Sequence, residues 1–223
     1  MKVRTIPILG FALFLCGSAA MAQQSPSPSQ PASSAGGMQE TVKAGPAVEL
    51  KLAMRKLWEE HITYTRNYII SALANLPDGD AIAKRLLANQ DDIGNAIKPY
   101  YGDQAGQKLT ALLRDHILIA TEVVKAAKAG KKDQLDAAQK KWSANGKDIA
   151  AFLSEANSNW PKQTLEAMLQ KHLDLTSGEV VGRLKKDWAA DIKSYDQGHD
   201  HMMMFADTLS DGIAKQFPEK VKG

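Results

Sequence analysis

The chain has 223 residues, 44% of them hydrophobic and 24% charged, with a formal net charge of +3 and one cysteine. Charges so nearly balanced, and interspersed along the chain, offer nucleic acid no electrostatic handle. A single cysteine excludes an intrachain disulfide and a Cys-ligated zinc cage.

The first residues read MKVRTIPILGFALFLCGSAAMAQQ. Lys2 and Arg4 make a cationic start, and Thr5 to Leu15 form an apolar run too short for a stable bilayer anchor. Ala20-Met21-Ala22 supplies the small-x-small site of signal peptidase. The expectation is a cleavable signal peptide over 1–22, export to the periplasm or medium, and no transmembrane anchor after cleavage. Cys16 lies in this leader behind Leu15, not behind the small residue that lipoprotein processing needs. The processed chain then has no cysteine, and loss of Lys2 and Arg4 lowers its formal charge from +3 to +1. Residues 23–45 are Ser, Pro, Gln, Ala and Gly with little apolar bulk, which predicts a disordered tether.

From 46 to 218 the composition turns to Ala, Leu, Lys, Asp and Gln, followed by a short tail over 219–223. Breakers fall at LPDGD (76–80), KPYYGD (98–103), AGKKD (129–133), NSNWP (157–161) and LKKD (184–187). Between them lie six segments with 3.6-residue periodicity and no sustained alternation, which predicts an all-α domain. Pro161 suits a first helical turn, and Asp103 or Asp133 is a candidate cap.

The segments repeat. HITYTRNYII from His61, HILIATEVVK from His116 and HLDLTSGEVV from His172 share a His, a Thr and an aliphatic pair at spacings of 55 and 56 residues. The expected architecture is three tandem αα-hairpins, as a six-helix bundle or an arc.

Each apolar stripe is interrupted once near its middle. The odd segments give Leu57-His61-Tyr64, Leu112-His116-Ile119 and Met168-His172-Leu175; the even ones give Leu86-Asn89-Ile93, Trp142-Asn145-Ile149 and Tyr195-His199-Met202. Counted from the turns, the second and third pairs reach similar heights, while His61 and Asn89 are offset by roughly 9 Å. The reading is a polar layer of His61, His116, His172 and His199 with Asn89 and Asn145. Within HDHMMMFAD (199–207), residues two apart point about 200° from each other, so His199 and His201 cannot chelate one ion. His199 is expected to face the core, and His201 to face away with Phe205 and Thr208.

Three readings of the layer stand open. It is a hydrogen-bonded set that fixes helix register; a His-rich site for copper, zinc, nickel or iron, with Asn89, Asn145 and Met202 in support; or a small-molecule or catalytic pocket using a histidine as acid or base. Glu-x-x-His is missing before His61, His116 and His172, which argues against a di-iron centre. No nucleophile elbow, phosphate loop or close carboxylate pair on a core face supports catalysis. Thr65 and Thr176 read as hydroxyls bonded to helix carbonyls, and Arg66 as a solvated residue that could guard a pocket mouth. With a layer that only fixes register, the companion reading is a non-catalytic structural or partner-binding protein, although no feature isolates the partner.

LWEEHITYTRNYIISAL, NQDDIG, IKPYYG, WSANGKDIAAFL and YDQGHDHMMMFAD through IAKQF together resemble a family of small helical bacterial proteins, some exported and some not. The resemblance spans about residues 50 to 217 and implies an all-helical fold without assigning an activity. It also implies variation at the histidines of the last helix, which ranks His199 and His201 below the other three. Members are sometimes labelled glycosyltransferase. Nucleotide-sugar glycosyltransferases hold their nucleotide on α/β sheets, and this chain lacks strand–helix alternation, so that label is not carried over. Asp78-Gly79-Asp80 mimics an acidic metal motif with what is turn composition.

Overall fold

The computed structural model describes residues 45–222; the expected leader and tether lie outside the described residues, but for Gly45. Six α-helices follow in order: α1 Pro46–Ala74, α2 Gly79–Tyr101, α3 Asp103–Lys128, α4 Lys132–Ala156, α5 Lys162–Lys185 and α6 Trp188–Gln216. A 3₁₀ turn, Pro218–Lys220, closes the described chain, and no strand occurs among the described residues. The breakers end the helices where expected, but not through the expected caps. Asp103 and Asp133 lie inside first turns, and of the six α-helices only α6 has a side-chain cap, Asp187, which accepts the Ala190 amide.

Long helices joined by short links must pack antiparallel to their neighbours. Each helix lies against the next, α6 closes on α1, and α1, α3 and α5 also touch one another across the middle. The fold is therefore a closed six-helix bundle rather than an arc, with parallel odd helices inside and even helices between them.

The three hairpin turns repeat as the helices do. Asn75 (φ 55°), Gly130 (φ 65°) and Lys186 (φ 58°) each take the left-handed conformation, 55 and 56 residues apart. His61 and Gln90 lie symmetrically about the first turn, as His116 and Asn145 do about the second. The expected 9 Å offset of the first hairpin thus disappears. The offset arises only when the turn is centred on Asp78-Gly79-Asp80, whereas the left-handed residue that reverses the chain is Asn75.

The odd helices, being central, bury a wide arc. In α1 this includes Met54, Trp58, His61, Ile62, Thr65 and Ile69. Trp58, Leu113 and Leu169 are the buried residues where the stripes had Leu57, Leu112 and Met168. The larger apolar core, with Met54, Trp58, Leu109, Leu165, Phe205 and Ile213, lies on one side of the histidines. Two smaller clusters, Tyr68-Ile69-Val124-Val180 and Val123-Ala138-Trp142-Leu173, lie on the hairpin-turn side. The histidines therefore divide the core.

Candidate functional site

The parallel odd helices bring His61, His116 and His172 together at the bundle centre, each no more than 3% exposed. Ring centroids are 5.5 Å apart for His61 and His172 and 5.9 Å for His116 and His172. Trp58 packs edge-on to His61, and Trp142 against His116. Burial among apolar walls disfavours the charged form, so His61 is pushed down to about 3 and His116 to about 4. His172 is held well below the ordinary imidazole value by burial first and by the neighbouring histidines next. All three are neutral at pH 7.

The even helices serve these histidines by a device repeated in each hairpin. The carbonyl four residues before each histidine takes a side-chain bond from the partner helix: Asn89 Nδ2 to Leu57 O at 3.0 Å, Asn145 Nδ2 to Leu112 O at 3.1 Å, and His201 Nε2 to Met168 O at 2.7 Å. A second bond holds the imidazole. Asn145 Oδ1 lies 2.7 Å from His116 Nδ1, and Gln90 Nε2 lies 3.3 Å from His61 Nδ1. Gln90, His116's partner Asn145, and His201 each stand 29 residues beyond their histidine.

The third hairpin departs from the pattern. His201 serves the carbonyl, and nothing serves the ring: buried His172 Nδ1 has no hydrogen-bond partner. Thr176 Oγ1 bonds His172 O, as expected, whereas buried Thr65 Oγ1 finds no partner. A cavity with about 20 Å³ of room for a water centre adjoins the triad on the hairpin-turn side. All three histidines, Thr65, Thr176 and Trp142 line it, and the rest of its wall is mainly aliphatic. That space has room for about one water molecule, but its exposed wall is almost wholly apolar and the His172 Nδ1 atom is not open to it.

Two expected members are misplaced. The His199 side chain is 33% exposed, 3.8 Å from Glu59 and 3.6 Å from Asp200, outside the layer. The core face of α6 runs through Asp191, Gly198, Met202, Phe205 and Leu209, so His199 falls one residue beyond it. His201 is half-buried and faces α5, and Phe205 is fully buried, contrary to the outward placement of both. Met202 is buried in the larger core and does not line the cavity, so it does not support the triad. Asn89 and Asn145 do belong to the layer. Sequence reasoning missed Gln90 and His201, although carrying the 56-residue period from Asn145 leads to His201.

A second polar group went unread. Arg66 is not a solvated residue: it bonds Glu179 at 2.9 Å and Asp191 at 2.9 and 3.1 Å, and Arg183 meets Asp191 at 2.9 Å. Glu179 and Asp191 are 4% and 1% exposed. Desolvation outweighs Arg66 and raises Glu179 to about 7. Tyr195 packs under Arg66 and Trp188 under Arg183. The cluster ties α1 to α5 and α6. Nothing in the sequence links Glu179 and Asp191 to Arg66, more than 100 residues earlier, and only the fold reveals the convergence.

Among the described residues, no group of three or more His, Cys, Asp or Glu is placed to hold a metal ion, and no helix is long and apolar enough to cross a membrane. In comparison with known proteins, no family model, curated protein or solved structure matches the chain.

Proposed function

We propose that this protein is a non-catalytic binding protein, exported as its first 22 residues lead one to expect, and that its ligand is a transition-metal ion held at His172. The observation that carries this reading is the unpartnered, buried His172 Nδ1 where the other two hairpins hold the ring. The 20 Å³ space is too small for an organic ligand, and an ion at His172 requires the imidazoles to turn their nitrogens toward it.

The hydrogen bonds favour two of the three imidazoles as ligands. Asn145 spends its amide on Leu112 O and turns its oxygen to His116, so His116 Nδ1 donates and Nε2 carries the lone pair. Such outer bonding orients metal-binding imidazoles generally. Gln90 Nε2 has two protons and three acceptors in reach, Leu86 O at 2.8 Å, Asn89 Oδ1 at 3.1 Å and His61 Nδ1 at 3.3 Å, so it holds His61 weakly, with the ring nitrogen accepting. His61, with its Nδ1 turned to that amide, is the weakest ligand of the three. Two imidazoles, His116 and His172, suit copper(I), which is satisfied by two, better than zinc, which requires four ligands.

The test titrates the metal-free protein with copper(I) against a competing chelator and compares His172→Leu and His61→Leu. Tight one-to-one binding that His172→Leu abolishes and His61→Leu retains supports the reading; no binding, or binding unaffected by His172→Leu, overturns it. A second reading is favoured by the Gln90–His61 and Asn145–His116 bonds: the layer serves only to fix helix register. Under it neither variant alters metal binding, and only stability responds.

A further inference from the structure

At the α5–α6 turn, six consecutive residues, Leu184 to Ala189, are exposed. Four large apolar side chains face solvent around this turn: Val181 (46%), Leu184 (42%), Trp188 (53%) and Ile192 (52%). The helices approach closely, since a Cβ on Gly182 would lie 2.7 Å from the Asp191 amide nitrogen. Val181 and Ile192 flank that contact from the two helices. Arg183 stacks on the Trp188 ring, 5.5 Å from its centroid, and steadies the indole in its exposed position. Lys185, Lys186 and Lys193 are exposed beside the patch. The adjacent carboxylate, Asp187, is engaged with the Ala190 amide.

The other two hairpin turns lie at the same end of the bundle. One contributes Leu76, 46% exposed, with exposed Asp78 and Asp80; the other contributes exposed Lys131 and Asp133 and a Lys132–Asp136 pair, so the excess of positive charge belongs to the α5–α6 turn. Lys128 joins these two turns through Ala72 O and Asn75 Oδ1. One tryptophan and several aliphatic side chains at an apex, rimmed by lysines, match the headgroup boundary of an anionic bilayer. There an indole sits at the interface and ammonium groups meet lipid phosphates.

We infer that the α5–α6 end of the bundle docks on an anionic lipid surface, with Trp188 and Leu184 inserted and Lys185, Lys186 and Lys193 against the headgroups. Binding is peripheral and reversible, and each lysine strengthens it about fivefold at modest ionic strength. This rests on the surface patch alone and is independent of any metal at His172.

The test uses the chain from Gln23 onward and vesicles of phosphatidylcholine with or without phosphatidylglycerol. Trp58, Trp142 and Trp160 are buried at 3%, 3% and 2% exposure, so a blue shift of tryptophan emission on binding reports Trp188. The expected result is sedimentation with phosphatidylglycerol vesicles, a blue shift, loss of both at high salt, and little affinity for phosphatidylcholine alone. Lys185→Glu with Lys186→Glu weakens binding at least about twenty-five-fold, and Trp188→Ala removes the blue shift; circular dichroism confirms that both variants fold. Failure to sediment, or sedimentation unaffected by these variants, overturns the inference. So does patch-dependent dimerisation without lipid binding, which assigns the surface to a second copy of the chain.

Discussion

Replacing His172 by leucine stabilises the metal-free protein. The ring makes no side-chain hydrogen bond at Nδ1, and the bond from Thr176 Oγ1 goes to the His172 backbone carbonyl, which the substitution leaves in place. A buried polar atom without a partner costs about 1–3 kcal/mol. Leucine is close to histidine in size, and the shape change returns up to about 1.5 kcal/mol of that gain. The net expectation is about 1 kcal/mol, or a rise in Tm of about 2–4 °C for a domain of this size. His116→Leu is the control. It removes a 2.7 Å bond and strands Asn145 Oδ1 in a buried site, and it lowers stability by about 1–3 kcal/mol. Thermal and urea unfolding in chelator-treated buffer measures both. Equal destabilisation by the two substitutions would show that His172 is as fully satisfied as His116, and the reasoning from its unpartnered nitrogen would fail.

Acid unfolding follows from the same burial. His61, His116 and His172 stay neutral in the fold below their ordinary value, so unfolding at pH 5 takes up about three protons and stability falls as pH drops below about 6.5. Glu179 acts in the opposite sense: raised to about 7, it is protonated in the fold, contributes fully below its unfolded value, and loses that contribution as pH rises through 7. The sum is a loss of about 3 kcal/mol per pH unit between pH 6 and 5, which urea midpoints across that window measure; a flat profile contradicts it. Glu179→Gln steepens that slope toward about 4 kcal/mol per unit, because the opposing proton is gone. Arg66→Met leaves Glu179 and Asp191 buried with Arg183 alone and costs about 3–5 kcal/mol in chemical denaturation. Lys186→Gly relieves a left-handed non-glycine residue and raises stability by about 1 kcal/mol, as glycine already does at Gly130.

The helices and their breakers were legible because periodicity and turn composition are local signals, and the repeat from His61 to His116 to His172 survives in the sequence. Closure of the ring was not, since it depends on α6 meeting α1. The layer was legible on the odd helices, where the central position buries a wide arc and small errors of phase do little harm. On α6 the phase mattered. The core face starts at Asp191, a charged residue that no apolar stripe picks out, and the stripe through Tyr195 and Met202 brings in His199 in place of His201. The burial of Asp191 depends on Arg66 and Arg183, one from a helix more than 100 residues away in sequence. Gln90 was passed over for its neighbour Asn89, because a stripe allows one interruption where the fold uses two residues for the two bonds that Asn145 makes alone.

The most direct measurement is the long-range proton–nitrogen NMR spectrum of the histidine rings, with and without one equivalent of copper(I). Without metal, His116 carries its proton on Nδ1 and His61 and His201 on Nε2. With metal, the nitrogens of His172 and His116 shift while His61 and His201 keep their tautomers. Unchanged His172 and His116 resonances, or shifts confined to exposed His199, would contradict the assignment of the site.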